Sequence, residues 1–201
     1  MGNLLEFMAG GGDGQPSQLQ ELRLGSDPAM VLLFTADTAD VGMHFVDDPS
    51  VNSYVICPGK GCPVCHLGSA AVATMLLPVY EIGTRTIRVL RVPKRRQPGS
   101  LAACILPHVA GGKPSDRLLA ITRNGAKYTV VAHDVAAAAN RGEDVVRAFI
   151  AGTDTDAQLK SAFKLMTPEE LADVPAIANK LATLGTWQPP AAAPEAEEPD
   201  S

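Results

Sequence analysis

Aromatic residues and long hydrophobic runs are both scarce in this sequence. Phe, Tyr and Trp make up 4% of the 201 residues, so each aromatic side chain is informative. The longest apolar runs, 29–35 and 70–79, are far shorter than the about 20 residues that a membrane-spanning helix requires. The N-terminus also lacks the basic start and the apolar stretch of a secretory signal. These absences predict a cytoplasmic protein with no membrane association.

Motifs of common enzyme classes are absent as well. The sequence contains no glycine-rich phosphate loop, no His-x-x-x-His pair and no nucleophile elbow. His108 and His133 stand alone in the sequence, and we interpret them as surface or capping residues. The sequence therefore predicts a protein without enzymatic activity.

Four cysteines are present, and three of them are clustered. In a reducing compartment cysteines seldom form disulfides, so this clustering indicates a metal site. Cys62-Pro63-Val64-Cys65 is a Cys-x-x-Cys pair that can supply two zinc ligands from one tight turn, and Cys57 can supply a third. A redox role for the pair is an alternative, but no β-α-β pattern flanks it.

Three residues are candidates for the fourth ligand: His44, His66 and Cys104. His66 directly follows Cys65, and two adjacent residues bind one tetrahedral ion with difficulty. Cys104 lies in an apolar stretch, where a free thiol usually behaves as a small hydrophobic side chain. We therefore predict His44, with the other two as alternatives. Because four protein ligands leave no open position, the sequence predicts one structural Zn²⁺ bound by His44, Cys57, Cys62 and Cys65.

The net charge of −5 is distributed unevenly along the chain. Ten basic residues lie between 83 and 127, and Asp116 is the one acid among them. This distribution indicates a basic face that binds a polyanion. A solvated, arginine-rich surface is the alternative interpretation. The basic residues of this block are Arg85, Arg88, Arg91, Lys94, Arg95, Arg96, Lys113, Arg117, Arg123 and Lys127.

The C-terminal end has the opposite character. Residues 188–201 are rich in proline, alanine and acids and cannot bury a core, so we predict a disordered tail. We expect this tail to occupy the basic face when no polyanion is bound there, or to bind protein partners; a role in solubility is the alternative. Its acidic residues are Glu195, Glu197, Glu198 and Asp200.

The pattern of apolar residues predicts a mainly β protein with some α-helix. Asn124-Gly125 is a strong signal for a two-residue hairpin turn. Five short strands with a helix inserted late are typical of a small OB-type barrel. The expected strands are 31–34, 75–80, 86–92, 118–122 and 127–132, and the expected helix is 101–109.

Beyond His133 the spacing of apolar residues becomes helical. Thr167-Pro168-Glu169-Glu170 is a capping box that starts one of the predicted helices. The predicted domains are a flexible N-terminal arm (1–17), a five-stranded OB-type core (18–133) with an inserted zinc-binding subdomain (about 42–68), a helical segment (134–187) and a disordered acidic tail (188–201).

The ligand pattern resembles that of a known family. The order His44, Cys57 and then Cys62-Pro63-Val64-Cys65 is similar to the zinc subdomain of phage single-stranded DNA-binding proteins of the T-even type. Apolar strands, a basic stretch and an acidic tail follow in the same order, and the hairpin around Asn124-Gly125 looks like that of phage relatives. The resemblance covers roughly 22–131 and the tail. Two features differ: the loop between Cys57 and Cys62 is shorter, and the N-terminal arm lacks basic residues.

The resemblance implies an OB-fold with zinc beside its groove, and no enzymatic activity. It further implies a protein, in the host cell cytoplasm if phage-encoded, that coats and protects single-stranded DNA during DNA replication, recombination and repair. Self-association on DNA and contacts of the tail with replication and recombination proteins are also expected. The alternatives are a zinc-finger-like regulator of duplex DNA and a zinc-stabilised scaffold protein.

Binding of a single strand without sequence preference requires cations for the phosphates and aromatic faces for the bases. The basic block supplies the cations, and we expect Lys94-Arg95-Arg96 to close over the strand as a flap. Tyr54, Tyr80 and Tyr128 are the predicted stacking residues. Phe45 is next to a metal ligand and is expected to lie in the core.

Overall fold

The structure is a computed structural model. It describes residues 19–34, 37–51, 54–95, 97–109, 117–133, 154–185 and 187–188, with isolated positions at 146, 149 and 151. For Arg117 it describes the backbone alone. The predicted N-terminal arm, the start of the helical segment and all of the acidic tail beyond Gln188 lie outside the described residues.

One sheet forms the centre of the protein. Its strands are β1 (Gln20–Glu21), β2 (Ala29–Leu33), β3 (Ala39–Phe45), β4 (Tyr54–Ile56), β5 (Val72–Glu81), β6 (Thr86–Pro93), β7 (Arg117–Asn124) and β8 (Lys127–His133). Their order in the sheet is β1-β6-β5-β2-β7-β8, while β3 pairs with both β5 and β4. With the helices that pack on it, this sheet makes the chain a mixed α/β protein.

Strand β5 is long, and two consecutive strands share one of its edges. β2 pairs antiparallel with the C-terminal end of β5, where Leu32 lies opposite Tyr80, and β3 pairs antiparallel with the N-terminal half, where Met43 lies opposite Val72. β6 covers the other edge of β5, and β1 adds to β6 in parallel. Within the described part of the chain β8 pairs with β7 alone, so the curled sheet stays open as a half-barrel.

Helices pack on both faces of this sheet. The helices are α1 (Pro63–His66), α2 (Leu101–Val109), α3 (Thr155–Ser161), α4 (Pro168–Ala172) and α5 (Pro175–Leu184). The main core lies on the face that α2 covers, where Ile105 packs with alternate residues of β2, β5, β6 and β7. Burial of these apolar side chains is the largest favourable contribution to folding.

The opposite face of β5 and β6 is covered by the C-terminal helical segment. Leu159 of α3 and the nearby Phe163 pack against Leu76 of β5 and Val89 of β6. Leu76 and Val89 are therefore fully buried beneath the helical segment.

Several predicted elements are confirmed. The helix at 101–109 and the hairpin around Asn124-Gly125 are present. The Thr167 hydroxyl accepts a hydrogen bond from the amide of Glu170, whose carboxylate accepts one from the amide of Thr167, which confirms the capping box at the start of α4.

The half-barrel differs from the predicted arrangement of five strands. The structure adds β1, β3 and β4, none of which is among the five expected strands. In the described residues no helix is long and apolar enough to cross a membrane.

Candidate functional site

The four predicted metal ligands come from three neighbouring pieces of the chain. His44 lies on β3, Cys57 directly follows β4, and Cys62 and Cys65 lie at the start and inside of α1. The antiparallel pairing of β3 with β4 brings His44 next to Cys57, because the Cys57 amide donates to the Gly42 carbonyl of β3 at 2.8 Å.

A tight turn brings the remaining cysteines back to this pair. Gly59 and Gly61 both have positive φ, +84° and +78°, a conformation that glycine adopts without steric cost. The Cys62 amide donates to the Gly59 carbonyl, and Pro63 then begins α1 at a position where proline is favoured. One turn of helix places Cys62 and Cys65 on the same side.

The four ligand atoms form a compact cage. They all lie within 4.8 Å of one another. The His44 Nε2 atom is 3.4 Å from the Sγ atoms of both Cys62 and Cys65, and the Cys57 and Cys65 Sγ atoms are 3.8 Å apart. These four residues are close enough to bind one metal ion, which is compatible with a single structural site.

Neither alternative fourth ligand is part of this cage. His66 lies outside the cluster, although it follows Cys65 on α1. The Cys104 thiol lies on α2 and donates to the Tyr128 carbonyl at 3.3 Å. His44 is therefore the histidine that the fold brings to the three clustered cysteines.

Burial shifts the pKa of two of the ligands, His44 and Cys62. It lowers the pKa of His44 below its usual 6.5, so the imidazole is neutral and available as a ligand at pH 7. It raises the pKa of the Cys62 thiol to about 12, so this sulfur carries a proton until a metal ion displaces it.

Metal binding should accordingly release protons. At pH 7.5 the metal-free protein is expected to lose at least about one proton per ion, from Cys62, and none from His44. Titration calorimetry with ZnCl₂ in two buffers of different ionisation enthalpy measures this number. Affinity should weaken as the pH falls, because protons compete for the thiolates. Binding without proton release would show that Cys62 is not a ligand.

A second hydrophobic core packs against the outer side of the cage. Cys62 and Val64 pack against Leu171 of α4 and Ile177 of α5. The Asp48 carboxylate also accepts a hydrogen bond from the amide of Ala176 at the start of α5, across 128 residues of sequence. The C-terminal helices therefore pack on the metal cluster rather than forming a separate unit.

Three of the predicted DNA-binding cations are paired with acids. Arg88 contacts Glu81 at 3.2 Å, Arg91 contacts Glu21 at 2.7 Å, and Lys94 contacts Asp40 at 2.6 Å. All three acids lie outside the basic block in sequence, so the expectation of an unopposed charge along this block is wrong for these positions.

The other cations of the block divide into two groups. Arg85, Arg95, Arg123 and Lys127 make no ion pair within the described residues, and all four are exposed. Arg85 lies in the β5–β6 turn with φ +57°, not on the strand. The remaining predicted cations lie outside the description of side chains: Arg96, Lys113 and Arg117.

The β7–β8 hairpin gathers several predicted binding residues. The Arg123 guanidinium lies 5.8 Å from the centre of the Tyr128 ring. The Tyr128 amide donates to the Gly99 carbonyl at 2.8 Å, and the Lys127 side chain packs beside Gly99. The hairpin is thereby joined to the loop that carries Arg95, which is the predicted flap.

The three tyrosines have different surroundings. Tyr80 is only 2% exposed and packs with Phe34 in the core, so the prediction that it stacks on bases is wrong in this conformation. Tyr54 is half-buried on β4, and the guanidinium carbon of Arg91 lies 3.6 Å from its ring centre. Tyr128 is half-buried on the hairpin.

Phe45 was missed by sequence reasoning. It is 59% exposed and contacts the Tyr54 ring edge-to-face, with ring centres 5.4 Å apart, so its expected place in the core is wrong. The signal is the alternation of a strand: because His44 points inward to the cage, its neighbour on β3 must point outward.

The comparisons with known proteins add no relative. No family model matches the chain, and no curated protein or solved structure matches it either.

Proposed function

We propose that this protein binds single-stranded DNA without sequence preference. The observation that carries the proposal is a pair of arginine–tyrosine contacts, Arg91 with Tyr54 and Arg123 with Tyr128. Aromatic rings and guanidinium planes provide stacking surfaces for bases, and free cations nearby attract phosphates. Lys127 and Arg95 are such cations, because both are exposed and make no ion pair within the described residues.

The order of elements supports an OB-type origin for the half-barrel. β2 and β3 together correspond to the first strand, followed by β5, β6, α2, β7 and β8. OB-folds bind oligonucleotides on the face of their second and third strands and on the loops after the first and fourth strands. Here α3 covers that face, so binding is assigned to the two loops. The first contains Tyr54, and the second is the β7–β8 hairpin.

Zinc is the metal proposed for the cage. A tetrahedral zinc ion with sulfur and nitrogen ligands separates two sulfurs by about 3.8 Å and a sulfur from a nitrogen by about 3.6 Å. The observed separations are 3.8 Å and 3.4 Å, and one imidazole with three thiolates is a common donor set for structural zinc. The cage leaves no position for substrate, so we assign the ion a structural role and the protein no enzymatic activity.

The proposed ion would act on DNA binding through β3 and β4. Fixing His44 and Cys57 holds the ends of the β3–β4 pair, and this pair presents Phe45 to solvent with the half-buried Tyr54 beside it. The ion would thus position one of the two stacking surfaces without touching the DNA.

Phe45→Ala is expected to weaken binding to oligo-dT by about 5- to 100-fold, the loss of one stacked base. Leu165→Ala is the matched control, because Leu165 is an apolar side chain with almost the same exposure, 60% against 59%. Fluorescence anisotropy at fixed salt measures both variants. An oligonucleotide of abasic sugars should abolish the difference between wild type and Phe45→Ala, and equal losses in the two variants would exclude Phe45 from the site.

The proposal as a whole is tested by comparing ligands. Wild-type protein should bind oligo-dT and a mixed-sequence single strand with similar affinity and duplex DNA at least about tenfold more weakly, and its affinity should fall steeply with salt. Equal affinity for duplex, or a sharp sequence preference, would instead favour a duplex-binding regulator. No binding to any nucleic acid would favour a scaffold protein.

The biological setting of this binding is also a proposal. A non-sequence-specific single-strand binder coats and protects DNA during replication, recombination and repair, and we assign the protein to that role. The acidic tail and its contacts with replication and recombination proteins lie outside the described residues, as does the N-terminal arm that could support self-association on DNA. These partners remain predictions.

A further inference from the structure

The end of the described chain contacts the metal cluster directly. Trp187, the single tryptophan of the protein, donates a hydrogen bond from its indole nitrogen to the Gly61 carbonyl at 3.3 Å. Its half-buried ring borders a groove together with the ligands Cys62 and Cys65. We refer to the Trp187–Gly61 contact as the C-terminal anchor.

The acceptor of this bond belongs to the turn that joins two ligands. Gly61 lies between Cys57 and Cys62, and its positive φ of +78° sets the direction of its carbonyl. A hydrogen bond within the turn stabilises it, because the Gly59 amide donates to the Cys57 sulfur at 3.4 Å. An ion bound to both sulfurs fixes the two ends of this short turn, and with them the carbonyl that Trp187 needs.

The donor belongs to the segment that leads into the acidic tail. α5 ends at Leu184, and Gly185 turns the chain with φ +71°. Trp187 follows two residues later, and the eleven residues 191–201 contain four acids and no base. Trp187 thus joins this segment to the folded body a few residues before the acidic residues begin in the sequence.

We propose that occupancy of the metal cage controls the C-terminal anchor. With the ion bound, the Gly61 carbonyl is fixed and accepts the hydrogen bond of Trp187. When the ion leaves, the turn relaxes and the indole loses its acceptor. Because coupling between two sites is reciprocal, the anchor must in return strengthen metal binding.

The fluorescence of Trp187 measures the effect of metal occupancy on the C-terminal anchor. Removing the metal from the purified protein with a zinc chelator should shift the tryptophan emission to longer wavelength and raise its quenching by acrylamide about twofold or more. Adding ZnCl₂ should restore both signals. Unchanged quenching after complete metal removal, verified by elemental analysis, would overturn the proposal.

The reciprocal effect is that of the C-terminal anchor on metal affinity. It can be measured even if metal removal unfolds the protein. Competition with a zinc chelator should show a metal dissociation constant about 3- to 10-fold higher for Trp187→Ala, with Trp187→Phe also weakened because it lacks the indole donor. Leu184→Ala is the control, since this side chain is 54% exposed on the same segment, and it should stay within twofold of wild type. Wild-type metal affinity in Trp187→Ala would overturn the proposal. None of these measurements uses DNA, so their outcome is separate from that of the proposed function.

Discussion

Replacing Cys62 by serine is expected to abolish stoichiometric zinc binding and to lower the melting temperature by about 10 °C or more. Cys62 is a ligand and also a buried member of the second core, where it is 3% exposed. The variant would thus lose the proposed ion, whose ligands come from β3, α1 and the residue after β4, and it would bury a hydroxyl among apolar side chains. Elemental analysis and thermal unfolding by circular dichroism measure the two effects.

A second cysteine provides the control for this variant. Cys104 is half-buried and its thiol donates one hydrogen bond to the Tyr128 carbonyl, a bond that a serine hydroxyl can keep. Cys104→Ser should retain one zinc per chain and change the melting temperature by no more than about 3 °C. If Cys62→Ser kept its zinc while Cys104→Ser lost it, the cage described above would not be the metal site.

The double substitution Arg123→Ala/Lys127→Ala should weaken binding to oligo-dT by about 10- to 100-fold at low salt. Each lost phosphate contact reduces the slope of log affinity against log salt by about 0.7 for single strands, so the expected change in slope is about 1.4. Arg123 and Lys127 are exposed on a hairpin that carries no acid, so their charges are available to the DNA.

An equal change of charge elsewhere provides the matched comparison. Arg88→Ala/Lys94→Ala also removes two cations of the basic block, but both are already paired, with Glu81 and Asp40. This variant should bind within about threefold of wild type, since the positive charge of each side chain is already cancelled by its acid partner. If both double variants lost the same affinity, net charge rather than the hairpin surface would govern binding.

Local signals in the sequence predict a large part of this structure. The hairpin turn is specified by Gly125, whose φ of +61° is a conformation that glycine adopts without steric cost. The two turn residues are Gly125 and Ala126 rather than the expected Asn124 and Gly125, because Asn124 still pairs with Lys127 in the hairpin. Thr167 and Glu170 specify the start of α4 because the two hydrogen bonds of a capping box involve only neighbouring residues. The cysteine spacing indicates the metal cage for the same reason, since one short turn brings Cys62 and Cys65 together.

Contacts between distant parts of the chain account for what the sequence does not predict. Tyr80 is buried because Phe34 and Phe149 pack beside it, and neither residue is its neighbour in sequence. The ion pair of Arg91 depends on Glu21, seventy positions away, which β1 brings alongside β6. The order of charged and aromatic residues along the sequence does not reveal either kind of contact. The exposure of Phe45 was predictable, by contrast, once His44 was assigned to the cage.

The position of the metal cluster in the chain also sets an order of assembly. All four ligands lie within residues 44–65, whereas the apolar residues that cover them, such as Leu171 and Ile177, come about a hundred residues later. During synthesis, which proceeds from the N-terminus, the ligands leave the ribosome well before their cover exists. A metal ion bound at this stage would close the cage first, while Val55 and Val64 stay uncovered until α4 and α5 are made. A chain that stops before residue 166 would carry a complete set of ligands and an exposed apolar surface, which marks it for aggregation or degradation.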